Sequence, residues 1–278
     1  MNFIPLPHPK RPAAQRAKGQ LALAFKRIGA ETRVETFFQS GCLKTRLPRA
    51  GDPQICEAVT MNISGGVAGG DILSTSIELH PGARVSIASQ AAERIYRALA
   101  EPARIATRIT VQPGAGLEYL PQETILFNGF SLQRSLEIDL HEDAEFLGIE
   151  SLVFGRLAMG EAVNTGVLRD RITLKRDKKL ILQDMTRLEG DIAAQLNRKA
   201  VANGATAMAS LILATPDAPV KLERLRAALA DAHAGASAFE GILFARILGD
   251  NGAALRNIVL AALAALRDGR ALPRVWQG

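Results

Sequence analysis

The sequence predicts a mainly β protein, a scaffold of stacked β-hairpins and β-sheet with a small C-terminal α/β unit containing two helices. Three observations carry that prediction. First, a short segment recurs without gaps as Ile77-Glu-Leu-His-Pro-Gly-Ala83, Ile109-Thr-Val-Gln-Pro-Gly-Ala115 and Ile138-Asp-Leu-His-Glu-Asp-Ala144, with a fainter copy at Ile172-Thr-Leu-Lys-Arg-Asp-Lys178. Recurrence at a near-constant interval marks units that stack on their neighbours. Second, each copy joins an alternating stretch to a Pro-Gly, Glu-Asp or Arg-Asp turn and then to a second stretch such as Val85, Ile87 and Ser89. Period-two alternation marks a half-buried strand, and the turn residues reverse the chain, so each unit reads as a hairpin. Third, apolar spacing becomes helical only near the C-terminus.

In chain order, residues 1–19 are a basic extension with prolines at positions 5, 7, 9 and 12. Proline and charge leave this stretch little to bury, so it is expected to be mobile. Residues 20–204 form the repetitive β body. Residues 205–278 form an α/β unit packed on that body, read as a strand over 206–214, a helix over 220–233, a strand over 239–248 and a helix over 255–267 closed by Gly269.

Composition narrows the function. The chain has 278 residues and a formal charge of +6, but the first 49 residues hold ten Lys and Arg against two Glu, leaving the other 229 at −2. The basic balance therefore belongs to the N-terminal region. With aromatic content of 5% and Tyr96, Tyr119 and Trp276 all outside that region, the chain lacks the pattern of a nucleic-acid binder. No apolar run reaches about 18 residues, so no membrane-spanning helix is expected. The N-terminus has no apolar core of a secretory signal. Cys42 and Cys56 are too few for a disulfide framework and too far apart for a paired metal site. A cytoplasmic protein is expected.

The most conspicuous motif is Asn62-Ile-Ser-Gly-Gly-Val-Ala-Gly-Gly-Asp71. A phosphate-binding loop would end in Lys and Ser or Thr, whereas Asp71 stands at this exit and would repel phosphate. A dinucleotide fingerprint would open a helix, but residues 73–79 alternate as a strand. Gly65, Gly66, Gly69 and Gly70 instead read as a tight crossing between strands that holds Asp71 in place. No catalytic constellation is present: His8, His80, His141 and His233 never pair at metal-ligand spacing, and no serine lies in a nucleophile elbow. Both cysteines read as small hydrophobes.

Two carboxylates stand out because their strands are apolar, Phe146-Leu-Gly-Ile-Glu150 and Leu180-Ile-Leu-Gln-Asp184. Both lie six residues past the anchor of their repeat, so stacking in register would bring them near each other. A carboxylate in such a setting must face water, pair with a cation such as Arg156 or Arg187, or line a cation path.

Several segments in order carry a family resemblance. They are the Gly-rich motif, Ser89-Gln-Ala-Ala-Glu-Arg-Ile-Tyr-Arg97, Leu117-Glu-Tyr-Leu-Pro-Gln-Glu-Thr-Ile125, Phe154-Gly-Arg156 with Gly160-Glu161, Arg187-Leu-Glu-Gly190 and Pro273-Arg-Val-Trp276. Together they resemble the UreD (UreH) family of urease accessory proteins from about residue 20 onward. The family pattern often has Thr-Thr-Gln-Ala-Ala-Glu-Lys where this chain has Ala88-Ser-Gln-Ala-Ala-Glu-Arg94, and Asp-Gly where it has Asn128-Gly129.

The resemblance implies a non-enzymatic maturation factor that bridges apo-urease to UreF, with the GTPase UreG docked through UreF. It implies no tightly bound cofactor and a transient Ni²⁺ passing through the interior. Asp71, Glu150 and Asp184 are the implied waypoints, with Glu93, Glu123 and Glu189 as a second tier. Lone carboxylates suit a conduit, because they hold Ni²⁺ less tightly than imidazole or thiolate and so release it. A pure scaffold that alters urease conformation without conducting nickel is the alternative.

Overall fold

The computed structural model describes residues 15–49, 52, 54–156 and 160–277. The chain opens with β1 (Lys18–Ile28), β2 (Glu31–Gly41), β3 (Leu43–Arg46) and β4 (Ile55–Asn62), and crosses the glycine segment to β5 (Ile72–Leu79). There follow β6 (Arg84–Ser89), β7 (Glu93–Ile95), β8 (Ala103–Val111), β9 (Gly116–Leu120), β10 (Thr124–Leu126), β11 (Phe130–Leu140), β12 (Glu145–Phe154), β13 (Thr165–Arg176) and β14 (Lys179–Asp191). The C-terminal part holds α1 (Ile192–Leu196), β15 (Ala207–Ala214), α2 (Leu222–Ala228), β16 (His233–Phe239), β17 (Ile242–Gly249) and α3 (Gly252–Leu266).

The strands form two stacked sheets. The first runs β14-β13-β11-β8-β5-β1-β2, and the second runs β16-β17-β15-β12-β9-β6-β4-β3 with β10 and β7 alongside. The mainly β stacked architecture expected from the repeats is present, but the pairing within each unit differs from a hairpin. β5 and β6 flank the first Pro-Gly turn yet lie in different sheets. Each instead pairs in parallel with its counterpart in the next unit, β5 with β8 and β6 with β9. The first three units are therefore arches that carry the chain from one sheet to the other, and they stack as coils of a solenoid.

Turn geometry explains the difference. In each arch the alanine amide donates to a carbonyl three residues back, Ala83 to His80, Ala115 to Gln112 and Ala144 to His141, each at 3.1 Å. That four-residue connection separates the strands by a sheet spacing. The fourth copy turns through Asp177 and Lys178, both at positive φ (46° and 66°), with Arg176 opposite Lys179. Two residues in that conformation match the twist of an antiparallel pair, so β13 and β14 make a true hairpin within one sheet. The chain thus leaves the solenoid at this copy.

The strands after residue 205 are not a separate layer set on the body. β15 pairs antiparallel with β12, and β17 with β15, so the second sheet continues through them. The sequence reading missed β16, which forms a hairpin with β17 across Glu240 and Gly241, where it had a longer helix and a loop. Helices α2 and α3 cover the outer face of this extension and give a third layer. Leu255, Val259, Ala262, Leu263 and Leu266 of α3 pack with Leu211, Leu243 and Ile247. The N-cap Asn251 accepts from the Ala254 amide at 2.9 Å, satisfying one of the free donors at the start of α3. At the other end Arg267, 4% exposed, donates to both oxygens of Glu118 on β9, at 3.1 and 2.7 Å, and pins the helix to the sheet. Trp276 seals the same edge, its indole N–H donating to the Leu120 carbonyl at 2.9 Å.

Residues 1–14 of the expected mobile extension lie outside the described residues. Its last part does not: Lys18 and Gly19 already belong to β1, opposite Ile72 and Leu73 of β5. No helix among the described residues is long and apolar enough to cross a membrane.

Candidate functional site

Two apolar clusters fill the space between the sheets. One gathers around Phe25, Ile77, Ile109, Ile138 and Phe146, and the other around Leu73, Leu126, Phe130, Leu132 and Leu168. Between them runs a polar layer. It arises because several strands interrupt an inward apolar alternation with polar residues: Arg134 between Leu132 and Leu136, Asp170 between Leu168 and Ile172, and Asp184 with Thr186 between Leu182 and Leu188. Facing them, β12, β15 and β17 contribute Glu150, Ser210 and Arg246, which stand side by side in register.

Arg134 is the hub. Its Nη1 lies 2.6 Å from Glu150 Oε2 and donates to Thr124 Oγ1 at 3.1 Å, while Nη2 and Nε donate to the two oxygens of Asp170 at 2.6 and 2.9 Å. The side chains of Arg134, Glu150 and Asp170 are 8%, 10% and 9% exposed. A second group sits at the β14 edge. Arg246 donates to Asp184 Oδ1 at 2.6 Å and to Thr186 Oγ1 at 3.4 Å, and Ser210 Oγ donates to Asp184 Oδ2 at 3.2 Å. Three carboxylates thus face two guanidinium groups. Fully ionised, the layer carries one uncompensated negative charge.

Burial dominates the electrostatics of this layer. Burial pushes the Glu150 carboxyl up to about 7; Arg134 opposes the shift and Asp170 adds to it. Arg134 turns its two-pronged edge to Asp170 and offers Glu150 a single nitrogen. Burial also works against the charge on Arg134, but the fields of Asp170 and Glu150 override it and keep the guanidinium protonated. Burial, and then Glu150, push the Tyr119 phenol up, with its hydrogen bond to Thr107 acting the other way. Thr107 is the register neighbour of Thr75 on β5. Thr75 in turn lines a cavity of about 230 Å³ that contains Glu93, Asn62 and Ser89. Polar side chains therefore follow one another across the strands from Glu93 to Arg246.

The residues singled out from the sequence distribute unevenly over this layer. Glu150 and Asp184 both belong to it, but not as equivalent positions: Glu150 is on β12 in the second sheet and Asp184 on β14 in the first. Their cations are Arg134 and Arg246, not Arg156 and Arg187, which pair with Glu161 and Glu189. Asp71 is 4% exposed and away from the layer. Its oxygens accept from the backbone amides of Ala17 (2.7 Å) and Ala68 (2.8 Å), tying the start of β1 to the glycine crossing.

That crossing joins the two sheets between β4 and β5. Gly65, Gly66 and Gly70 adopt positive φ, and a Cβ on Gly66 would lie 2.4 Å from the Tyr96 ring. A Cβ on Gly69 would lie 2.5 Å from the Glu101 carbonyl. Glu93 accepts from Asn62 Nδ2 and the Arg94 amide, at 3.1 and 3.0 Å, and burial raises its carboxyl above the ordinary range. Glu123 lies 4.0 Å from Arg256 beneath α3, and Glu189 is exposed beside Arg187. Burial raises both cysteine thiols, consistent with inert packing. Among the described residues no three His, Cys, Asp or Glu side chains gather as a metal-holding group.

Sequence reading missed Arg134, Asp170 and Arg246. The signal was present: each is a charged residue at the inward phase of an alternating strand, Leu132-Gln-Arg134-Ser-Leu136 being the plainest case.

Comparison with known proteins gives a consistent result. The sequence profile described as UreD urease accessory protein matches residues 17–277. Among curated relatives, the urease accessory protein UreD of Sinorhizobium medicae is 43% identical over 269 residues, covering 95% of this chain and 97% of the relative. That of Rhizobium rhizogenes is 42% identical over 262 residues, covering 94% and 96%. That of Xanthobacter autotrophicus is 43% identical over 269 residues, covering 96% and 92%.

Proposed function

Because the chain belongs to the UreD urease accessory protein family, we propose that it acts as a non-enzymatic cytoplasmic maturation factor that couples apo-urease to UreF, and through UreF to UreG, while Ni²⁺ crosses its interior. The observation that supports a conducting role is the polar layer, in which three carboxylates outnumber two guanidinium groups between two apolar clusters. Burying such a layer is costly, and a wholly apolar core would be easier to stabilise. An excess negative charge on hydroxyl-flanked carboxylates attracts a divalent cation without closing round it. Glu150, Asp170 and Asp184 are the waypoints of this reading, and Glu93 marks its entry beside the glycine crossing. Asp71 holds the crossing in shape.

One observation favours the alternative of a pure scaffold. Each carboxylate of the layer already has a guanidinium partner, so the network could serve only to fix the two sheets in register. Urease activation with purified partners separates the readings. Glu150→Gln combined with Asp184→Asn keeps volume and hydrogen bonding while removing charge. If Ni²⁺ crosses here, the doubly substituted protein still assembles with apo-urease and UreF–UreG but delivers less nickel, measured as metal content and activity of the urease. Wild-type nickel content with intact assembly sinks the conduit and leaves the scaffold.

A further inference from the structure

The outer face of the first sheet carries a feature that the interior layer does not use. A shallow groove of about 770 Å³ runs across β5, β8, β11, β13 and β14, floored by small side chains such as Ser74, Ala106 and Ser135. Register places Ile72 beside Arg104, Arg104 beside Gln133, Gln133 beside Arg169, and Arg169 beside Arg187 in one outward row. Arg171 stands one row further along, opposite Met185.

Charge in this row is poorly compensated. Arg169 and Arg187 are a directly opposed cross-strand pair of like charge, an arrangement that destabilises a sheet. Arg187 lies 3.3 Å from the exposed Glu189, and Arg169 has no carboxylate within 4.0 Å among the described residues. Arg104 lies 3.7 Å from Glu101, and Arg171 shares Glu137 with Arg108. These partners are exposed, and pairs of that kind contribute little. Apolar side chains flank the row: Ile72 is 43% exposed and Met185 58%. Arginine and methionine together, ringed by polar side chains, are the composition of protein interfaces.

We propose that this groove is a docking surface for a protein partner whose contact face carries a row of carboxylates, which neutralise Arg104, Arg169 and Arg187 while Ile72 and Met185 are covered. The occupant is a protein rather than a nucleic acid because no aromatic side chain lines the groove to stack on bases. Neighbouring strands lie about 4.8 Å apart, so the arginines of the row repeat at about 5 and 10 Å, within reach of carboxylates on one protein face. The inference rests on the bridging role above and adds to it a specific face and the charge of its partner.

The test uses the full chain with Arg169→Glu and Arg187→Glu together, against Arg224→Glu and Arg226→Glu on α2 at the opposite side of the molecule. Binding is titrated against apo-urease, against UreF–UreG, and against a dodecaglutamate peptide, each at about 0.05 and 0.15 M ionic strength. The groove variant should keep its fold, since it exchanges one exposed like-charge pair for another, and should lose about tenfold or more in affinity for the peptide and for one of the two protein partners. The α2 variant should keep both. Wild-type affinity in the groove variant, or an equal loss in the α2 variant, overturns the proposal. So does a short DNA duplex that binds the wild type more tightly than the peptide and is lost by the groove variant. If the wild type binds neither protein partner, the bridging role fails, and the peptide comparison alone decides the groove.

Discussion

Replacing Glu150 by Gln tests the electrostatics of the interior directly. Burial holds the Glu150 carboxyl at about 7 in the folded protein, against an ordinary value of 4.5. At about 1.4 kcal/mol per pH unit, ionising it in place costs about 3 kcal/mol. The sign follows from proton counting. Between pH 4.5 and 7 the folded chain holds a proton at this site that the unfolded chain has lost, so stability falls as pH rises. The contribution is fully present below pH 4.5 and is gone once pH has passed through 7. Gln mimics the protonated form, still accepting from Arg134, which keeps its paired contact with Asp170. Urea unfolding of both proteins at constant ionic strength from pH 5 to 8 reads the effect. Wild type and Glu150→Gln should be within about 1 kcal/mol of each other near pH 5, and the variant should be more stable by about 2–3 kcal/mol at pH 8. Comparison with the variant matters because Glu57 and Glu93 are also raised by burial and add slope in the same direction. Parallel pH profiles, or a variant that is less stable at pH 8, would show that the Arg134 ion pair outweighs desolvation and would refute the reasoning.

Two further substitutions probe the supports of the site. Asp71→Ala removes the acceptor of two backbone amides at Ala17 and Ala68. It should cost about 2–4 kcal/mol and speed hydrogen exchange at those two amides, without altering the pH slope assigned to Glu150; unchanged exchange would show that the carboxylate does not hold the crossing. Arg267→Ala strands Glu118, which is 7% exposed, with Arg270 alone for charge. A loss of about 3 kcal/mol or more is expected in urea unfolding, and Glu118→Leu with Arg267→Leu should recover much of it if the pair fixes α3 rather than driving folding.

Legibility varied along the chain for identifiable reasons. Strand alternation around Ile77, Ile109 and Ile138 shows in the sequence because each strand meets the same environment at every second residue. The hairpin reading failed there because a turn of Pro and Gly says where the chain bends, not whether its two arms then bond to each other or to the next coil. β16 was invisible because the inward phase of His233-Ala-Gly-Ala-Ser-Ala-Phe239 is only Ala234, Ala236 and Ala238, too small to mark a strand, and pairing with the edge of β17 makes it one. Glu150 and Asp184 drew notice as charges in apolar strands. Asp170 did not, because Arg169 and Arg171 on either side make it look like one member of a solvated run.

By itself, then, the sequence determined the β repeat, the glycine crossing between strands and the few carboxylates set in apolar strands, since these are properties of neighbouring residues. Only the tertiary structure decided which charges meet. Arg134 reaches Asp170 across 36 residues, and Arg246 reaches Asp184 across 62. Those separations are bridged by parallel stacking of coils and by the β13–β14 hairpin that ends it, and no local pattern records the register in which two sheets face each other.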